Sequence, residues 1–221
     1  MDYLIHQLID KKSAQLIAER LLSNDSSWED GKKTAGTHAA KSKNNLQLDR
    51  KSKLSLALSE KVINHLNTDP LIKSFAIPKK FHSLMFTKSA KQQGYGMHVD
   101  NPYMSTGRSD LSFTLFLSDQ DSYKGGELNI QTLQENKMIK LSAGEIIIYP
   151  STSLHCVEKI TEGERLVCVG WIESYIASNE ERNFLFGLDA GAKGLLAKHG
   201  RSPELDLIFQ AYSNLLRRLG D

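Results

Sequence analysis

The chain is poor in cysteine, with two, Cys156 and Cys168, among 221 residues. Two thiols cannot build a disulfide framework, and the pair lacks the close spacing of a structural zinc knuckle. No apolar run is long enough to cross a bilayer. The opening "MDYLIHQLIDKK" has neither the basic start nor the apolar stretch of a secretory signal. Charge of one sign is missing too: 28 Lys and Arg stand against 26 Asp and Glu, a formal +2. So even a balance gives no reason to expect nucleic acid or a membrane as partner. There is no internal repeat and no low-complexity tract. These absences predict a protein of the reducing cytoplasm. Its 40% hydrophobic and 24% charged residues suit a domain that buries about 70% of its unfolded surface.

The basic excess is local. Residues 31–53 carry Lys32, Lys33, Lys41, Lys43, Arg50, Lys51 and Lys53, opposed by Asp49. Such a run reads as a solvated, mobile loop, or as a site for an acidic partner. Before it, "YLIHQL" reads as a short strand, and Ala14, Ile17, Ala18, Leu21 and Leu22 recur at helical spacing. Residues 23–45 form a loop long enough to expect a function. Residues 52–67 read as a helix with Leu58, Val62 and Leu66 on one side, after which Pro70 and Pro78 punctuate the chain.

From residue 81 the pattern changes. "FHSLMF", "YGMHV", "LSFTLFLS", "ELNIQ", "NKMIKL", "EIIIYP", "SLHCVEKI" and "RLVCVGWIE" are eight short apolar and β-branched segments separated by turn signals. The predicted fold is mainly β with flanking helices: a double-stranded β-helix, or jelly roll, with helices packed outside. Residues 1–80 are expected to form an N-terminal helical segment and lid loop, 81–175 the core, and 176–221 a C-terminal helical extension, all one catalytic unit. Leu205, Ile208, Phe209, Tyr212, Leu215, Leu216 and Leu219 make a regular stripe, either core or the surface of a homo-oligomer.

"YGMHVDN" holds the first chemical signal. On a strand, His98 and Asp100 leave the same face about 7 Å apart along the backbone. The pair is either a chelating couple or a surface polar pair. His155 lies further on, in "SLHCV". Two imidazoles and a carboxylate are the facial triad that holds non-haem Fe(II) and leaves three positions open. His6, His38, His65, His82 and His199 have no partner at ligand spacing and read as structural. Period two places Arg165, Val167, Val169 and Trp171 on one strand face. An inward guanidinium is costly to desolvate unless it meets an anion, and a carboxylate fits its planar fork. An outward Arg165 paired with Glu164 or Glu173 is the plain alternative.

His98-x-Asp100, then His155, then Arg165 ten residues on, resembles the iron(II)- and 2-oxoglutarate-dependent oxygenase superfamily. "GYGMHVDNP" and "RLVCVGW" are similar to its prolyl-4-hydroxylase-like branch. Within that branch, the order of "WEDGKKTAG", "KNNLQL", "GYGMHVDN", "RSDLSFTLFLSD", "YKGGELNI", "KLSAGEIIIYPSTSLHCVEKITEGER" and "NFLFGLD" resembles the PKHD-type hydroxylases.

The resemblance implies that His98, Asp100 and His155 bind iron. It implies that Arg165 holds the distal carboxylate of 2-oxoglutarate, with O2 as co-substrate and ascorbate as a reductant. Tyr95, Arg108 and Trp171 match substrate-lining positions. Tyr95 has the wrong parity to reach the site unless Gly94 or Gly96 bulges the strand. One position departs from the pattern: where the family usually has a tyrosine before the His-x-Asp strand, this chain has Ser89, with Thr114 as a replacement donor. Three functions are implied: hydroxylation of a prolyl or similar residue in a peptide or protein, hydroxylation of a free small molecule, and metal or oxygen sensing without catalysis. Nucleic-acid dealkylation is disfavoured, because "LVCVGW" lacks the second arginine of those enzymes.

Overall fold

The computed structural model describes residues 3–23, 26–34, 41–132 and 134–220. In chain order it begins with β1 (Leu4–Gln7), α1 (Lys11–Leu21), β2 (Trp28–Asp30), β3 (Lys43–Asn44) and β4 (Leu46–Leu48). Two helices follow, α2 (Lys53–Thr68) and α3 (Pro70–Ala76). The central strands are β5 (Pro78–Ser89), β6 (Gly94–His98), β7 (Tyr103–Met104), β8 (Gly107–Arg108), β9 (Leu111–Phe116) and β10 (Tyr123–Gly125). Then come β11 (Leu128–Gln131), β12 (Asn136–Ile139), β13 (Glu145–Pro150), β14 (His155–Val157), β15 (Ile160–Gly163) and β16 (Arg165–Ser174). Helices α4 (Asn179–His199) and α5 (Pro203–Leu219) close the chain.

Two antiparallel sheets face each other. The larger runs β1-β13-β9-β16-β5-β4-β2 and the smaller β12-β11-β14-β6-β3; the ribbons β10-β15 and β7-β8 stand apart. Strand parity sorts the larger sheet's side chains cleanly. Phe86, Leu115, Ile146, Ile148, Leu166, Cys168 and Ile172 point to one side, into a core shared with α1, α2 and α3. Phe116, Ile147, Tyr149 and Val167 point to the other, against Leu128, Ile130 and Ile139 of the smaller sheet. The jelly roll is therefore packed on both faces of its larger sheet, and the inward-facing side chains of β16 are free to build a site.

All eight expected strands are present, four of them shorter than the segments that signalled them and two, β5 and β16, longer. "SLHCVEKI" splits into β14 and the start of β15, because β14 pairs with β11 and β6 whereas β15 pairs with β10. The helices begin where side chains cap them. Asp10 accepts from Ser13 N at 2.9 Å, and Ser52 accepts from Ser55 N at 3.1 Å. Pro70, read as punctuation, instead opens α3. Proline has no N–H to lose in a first turn, and the Asp69 carboxylate accepts from Leu71 N and Ile72 N at 2.9 Å each.

Other expectations need correcting. Leu22 lies just past α1 and is 49% exposed, so the stripe ends at Leu21. Residues 23–45 are not simply a loop: β2 joins the edge of the larger sheet through β4, and β3 joins the edge of the smaller through β6. Residues 24–25 and 35–40 of that segment, with His38, lie outside the described residues. Of the seven α5 stripe residues only Leu205 is buried, since α5 packs on α4 rather than on the sheets. Among the described residues, no helix is long and apolar enough to cross a membrane.

Candidate metal centre

His98 ends β6, and Asp100 sits in the loop directly after it. β6 pairs with β14 so that His155 faces His98, while Val157 faces Tyr95. Between those pairs Cys156 of β14 thus opposes two residues of β6, Gly96 and Met97, which is a bulge. Gly96 makes it feasible: its N–H donates to Ser42 O at 3.0 Å, and a Cβ there would come within 2.6 Å of the Ser42 side chain. The bulge turns Tyr95 onto the ligand face, where its ring stacks on His98 with centroids 3.7 Å apart.

One ligand atom each from His98, Asp100 and His155 lies within 4.8 Å of the others. His98 Nε2 is 3.8 Å from Asp100 Oδ1, and His155 Nε2 is 3.9 Å from Asp100 Oδ2. Those separations are too long for hydrogen bonds. They match donors facing one ion, since two bonds of about 2.1 Å span at most about 4.2 Å. His98 Nδ1 donates to Gly96 O at 2.8 Å and His155 Nδ1 to Ser153 O at 2.9 Å. A carbonyl only accepts, so both Nδ1 atoms carry the proton and each neutral ring offers its Nε2 lone pair to the centre. Burial, reinforced by the neighbouring His155, pulls His98 down to about 4, which keeps it neutral. Ser112 Oγ donates to Asp100 Oδ2 at 2.5 Å; its one proton being spent, Ser151 Oγ donates to Ser112 at 2.7 Å. The donor set, two oriented imidazoles and one anchored carboxylate, fits a ferrous ion with its other positions open to a cavity.

That cavity, of about 360 Å³, is lined by the three ligands together with Thr114, Tyr149, Arg165 and Trp171. Arg165 is 3% exposed, its Nε has no hydrogen-bond partner among the described residues, and its guanidinium lies 5.1 Å from the Phe116 ring centroid. No carboxylate forms an ion pair with it among the described residues. An uncompensated buried cation costs on the order of several kcal/mol, so the position calls for an anionic guest. Arg165 faces inward with Val169 and Trp171, one of the two directions that strand parity left open. Thr114 lies on β9 opposite Val169 of β16, and Ser89 faces Arg165 across the β5–β16 pair.

Sequence reasoning missed Tyr149. It is wholly buried beside Arg165 and Asp100, with Thr114 next to its hydroxyl, and burial raises its pKa well above the usual phenol value. "EIIIYP" gave no sign beyond the parity that puts Tyr149 with Ile147. Trp171 is 9% exposed on the cavity wall, and its Nε1 has no partner among the described residues. Arg108 is placed elsewhere: Nε donates to Asp110 Oδ1 at 2.8 Å and a terminal N–H to Ser174 O at 3.0 Å, beside the β7–β8 ribbon. It joins the wall that holds β16 rather than the lining of the cavity.

Lys43 also departs from its expectation as a solvated loop residue. β3 seats it at the cavity with 5% exposure, where burial pulls its pKa down to about 8 against the pull of Asp100 and Asp30. The other histidines with described contacts are structural in placement. His6 bonds Asp69 at 2.8 Å, and His82 Nε2 donates to Arg108 O at 2.9 Å.

Comparison with known proteins places this geometry. Residues 84–173 match the 2OG-Fe(II) oxygenase superfamily. A PKHD-type hydroxylase of Prochlorococcus marinus strain MIT 9211 is 64% identical over 221 residues, covering all of both chains. Among solved structures, a prolyl-4-hydroxylase of Pseudomonas putida has a TM-score of 0.54 at 16% identity, over 78% of this chain and 92% of that one. A Trichoplax adhaerens prolyl hydroxylase, in complex with a hypoxia inducible factor peptide fragment, has a TM-score of 0.54 at 13% identity, over 83% and 86%. At those identities the two structures speak for the fold. The chain belongs to the PKHD-type hydroxylases of the 2OG-Fe(II) oxygenase superfamily, a family of dioxygenases that work with Fe(II) and 2-oxoglutarate.

Proposed function

We propose that His98, Asp100 and His155 hold the ferrous ion, that Arg165 grips the distal carboxylate of 2-oxoglutarate, and that the chain hydroxylates a prolyl or similar residue in a peptide or protein. The observation that carries the reading is a buried guanidinium, with an unpaired Nε and no ion-paired carboxylate among the described residues, sharing one cavity with a converged His-Asp-His set. When bound, the iron supplies the oxidation: one oxygen atom of O2 leaves in succinate as 2-oxoglutarate loses CO2, and the other becomes the hydroxyl on the substrate carbon. Ascorbate as reductant for the iron belongs to the same reading.

The protein's own residues bind and orient. Arg165 supplies the fork, and the Tyr149 and Thr114 hydroxyls line the same cavity beside it as donors that offset Ser89. Phe116, Leu128 and Val169 keep water from the grip. A peptide is favoured by the rim. Val99 and Met104 line the cavity, and Val99 is 49% exposed. An apolar edge of that kind suits an extended chain lying across the mouth. Tyr95 and Trp171 flank the residue to be oxidised.

Protein reconstituted anaerobically with Fe(II) and then given 2-oxoglutarate and O2 should release succinate. In the host proteome it should add an oxygen atom to a peptide, read by mass spectrometry. A mass gain confined to metabolites would move the assignment to a free small molecule, and no succinate at all would overturn the reading.

A further inference from the structure

The cavity has a second polar wall that neither the iron ligands nor Arg165 uses. Lys43 on β3 and Gln47 on β4 both line it, at 5% and 3% exposure. Lys43 Nζ donates to Thr34 Oγ1 at 3.2 Å, and Thr34 Oγ1 donates to Gln47 Oε1 at 2.7 Å. With the amide oriented this way the shorter bond takes the hydroxyl proton, because an ammonium group only donates and an amide oxygen only accepts; Gly31 O lies further from the same hydroxyl, at 3.2 Å. Gln47 Nε2 is thereby left buried without a hydrogen-bond partner among the described residues. Lys43 keeps N–H groups that meet no carboxylate at ion-pair distance among the described residues; the Tyr95 ring lies beneath its Nζ, 5.1 Å from the centroid. Burial of a cation and an amide in that state is costly unless a ligand completes them.

Charge points the same way. Lys43, Arg50 and Arg165 are the cations that line the cavity, and Asp100 is its one carboxylate among the described residues. With iron and 2-oxoglutarate in place, their charges offset each other, and Asp100 offsets Arg165. Lys43 and the exposed Arg50 are then left unopposed.

We infer that Lys43 and Gln47 form an anion-recognition subsite, and that the substrate presents a carboxylate close to the residue being oxidised. The inference rests on the hydroxylase reading above. Two side-chain donors bridged by Thr34 match the two oxygens of one carboxylate, and the ammonium makes the contact charge-assisted. The subsite sits on the β3–β4 side of the cavity, beside the Tyr95 ring that stacks on His98. The carboxylate is an Asp or Glu side chain near the target residue, or the free acid of a chain end or small molecule.

The test is binding under argon, so that no turnover is needed. Immobilised protein with Fe(II) and 2-oxoglutarate is offered N-acetylated, C-amidated heptapeptides centred on proline with randomised flanks, and retained peptides are sequenced. Asp and Glu should be enriched over Asn and Gln by about tenfold at one flanking position, the effect of one charge-assisted contact. The preference should vanish in Lys43→Met, shrink in Gln47→Leu and survive in Lys43→Arg, with iron content and melting temperature as the check on folding. In a parallel arm the same peptides carry a free C-terminal carboxylate, and N-acetylproline serves as competitor. Preference for a free acid supports the subsite and assigns its ligand to a chain end or small molecule. Equal retention of acidic and amide peptides by the unsubstituted protein, with no preference for a free acid, overturns the inference, as does a preference that persists in Lys43→Met. Failure of the hydroxylase reading is seen separately, as absence of succinate when air is admitted.

Discussion

His155 faces His98 directly across the β14–β6 pair, with imidazole centroids 4.3 Å apart, although 56 residues separate them in the chain. The antiparallel register sets that distance, and Asp100 follows His98 closely enough to close the triangle. The rest of the cavity is arranged around this contact. Tyr95 stacks on one ring, and Tyr149 meets the His155 ring edge-on at 5.2 Å.

Removing a ligand should remove the ion. His98→Ala and Asp100→Ala are expected to lose iron and succinate formation together, read by metal analysis and a coupled assay; retention of both would dismiss the triad. Ser112→Ala is the finer probe. It leaves the ligands in place but frees Asp100 from its donor at 2.5 Å, and should weaken iron binding about 10–100-fold in chelator competition.

Arg165→Met should raise the 2-oxoglutarate concentration needed for half-maximal succinate release by at least about tenfold. The ligand-free variant should melt no lower than the unsubstituted protein, since a buried charge without an ion-pair partner among the described residues has been replaced by an apolar side chain of similar length. Tyr149→Phe should raise the same requirement more modestly at unchanged iron content. Saturation curves that overlay the parent's would show that these groups do not touch the co-substrate.

The metal-free protein should weaken in mild acid. His98 titrates near 4 when folded, against an ordinary value of 6.5. Between those values the unfolded chain binds more protons than the folded one. The contribution is therefore fully present above pH 6.5 and is lost as pH falls toward 4, on the order of a few kcal/mol. Urea titrations at pH 7, 5.5 and 4 would show it, and His98→Gln should flatten the slope relative to the parent. Parallel slopes in the two proteins would rule His98 out as the source.

Phe86 anchors the face of the larger sheet opposite the site and is fully buried. Phe86→Ala should cost about 3–5 kcal/mol in denaturant unfolding, through lost transfer energy and the cavity left behind. A loss under about 1 kcal/mol would mean that the helix layer collapses to fill the space.

What could be read without coordinates was whatever depends on local period. Alternation along "RLVCVGWIE" put Arg165 and Trp171 on one face, and both line the cavity. The His-x-Asp pair and His155 were legible as ligand types. Tyr95 was legible only as a condition, since its parity was wrong unless the strand bulged, and the β6–β14 register meets that condition. Arg108 misled, because a two-residue ribbon carries no period from which to judge its direction.

Composition and alternation by themselves determined an antiparallel β core with outer helices, because side-chain direction on a strand repeats every two residues whatever surrounds it; the ligand-bearing strands were named by the resemblance of their ordered motifs. The tertiary structure alone decided that Lys43 leaves a basic stretch to become a buried cation, and that Tyr149 comes to stand beside Arg165. Those placements come from pairings between strands far apart in the chain, β3 with β6 and β9 with both β13 and β16, and a local pattern holds no record of a distant partner.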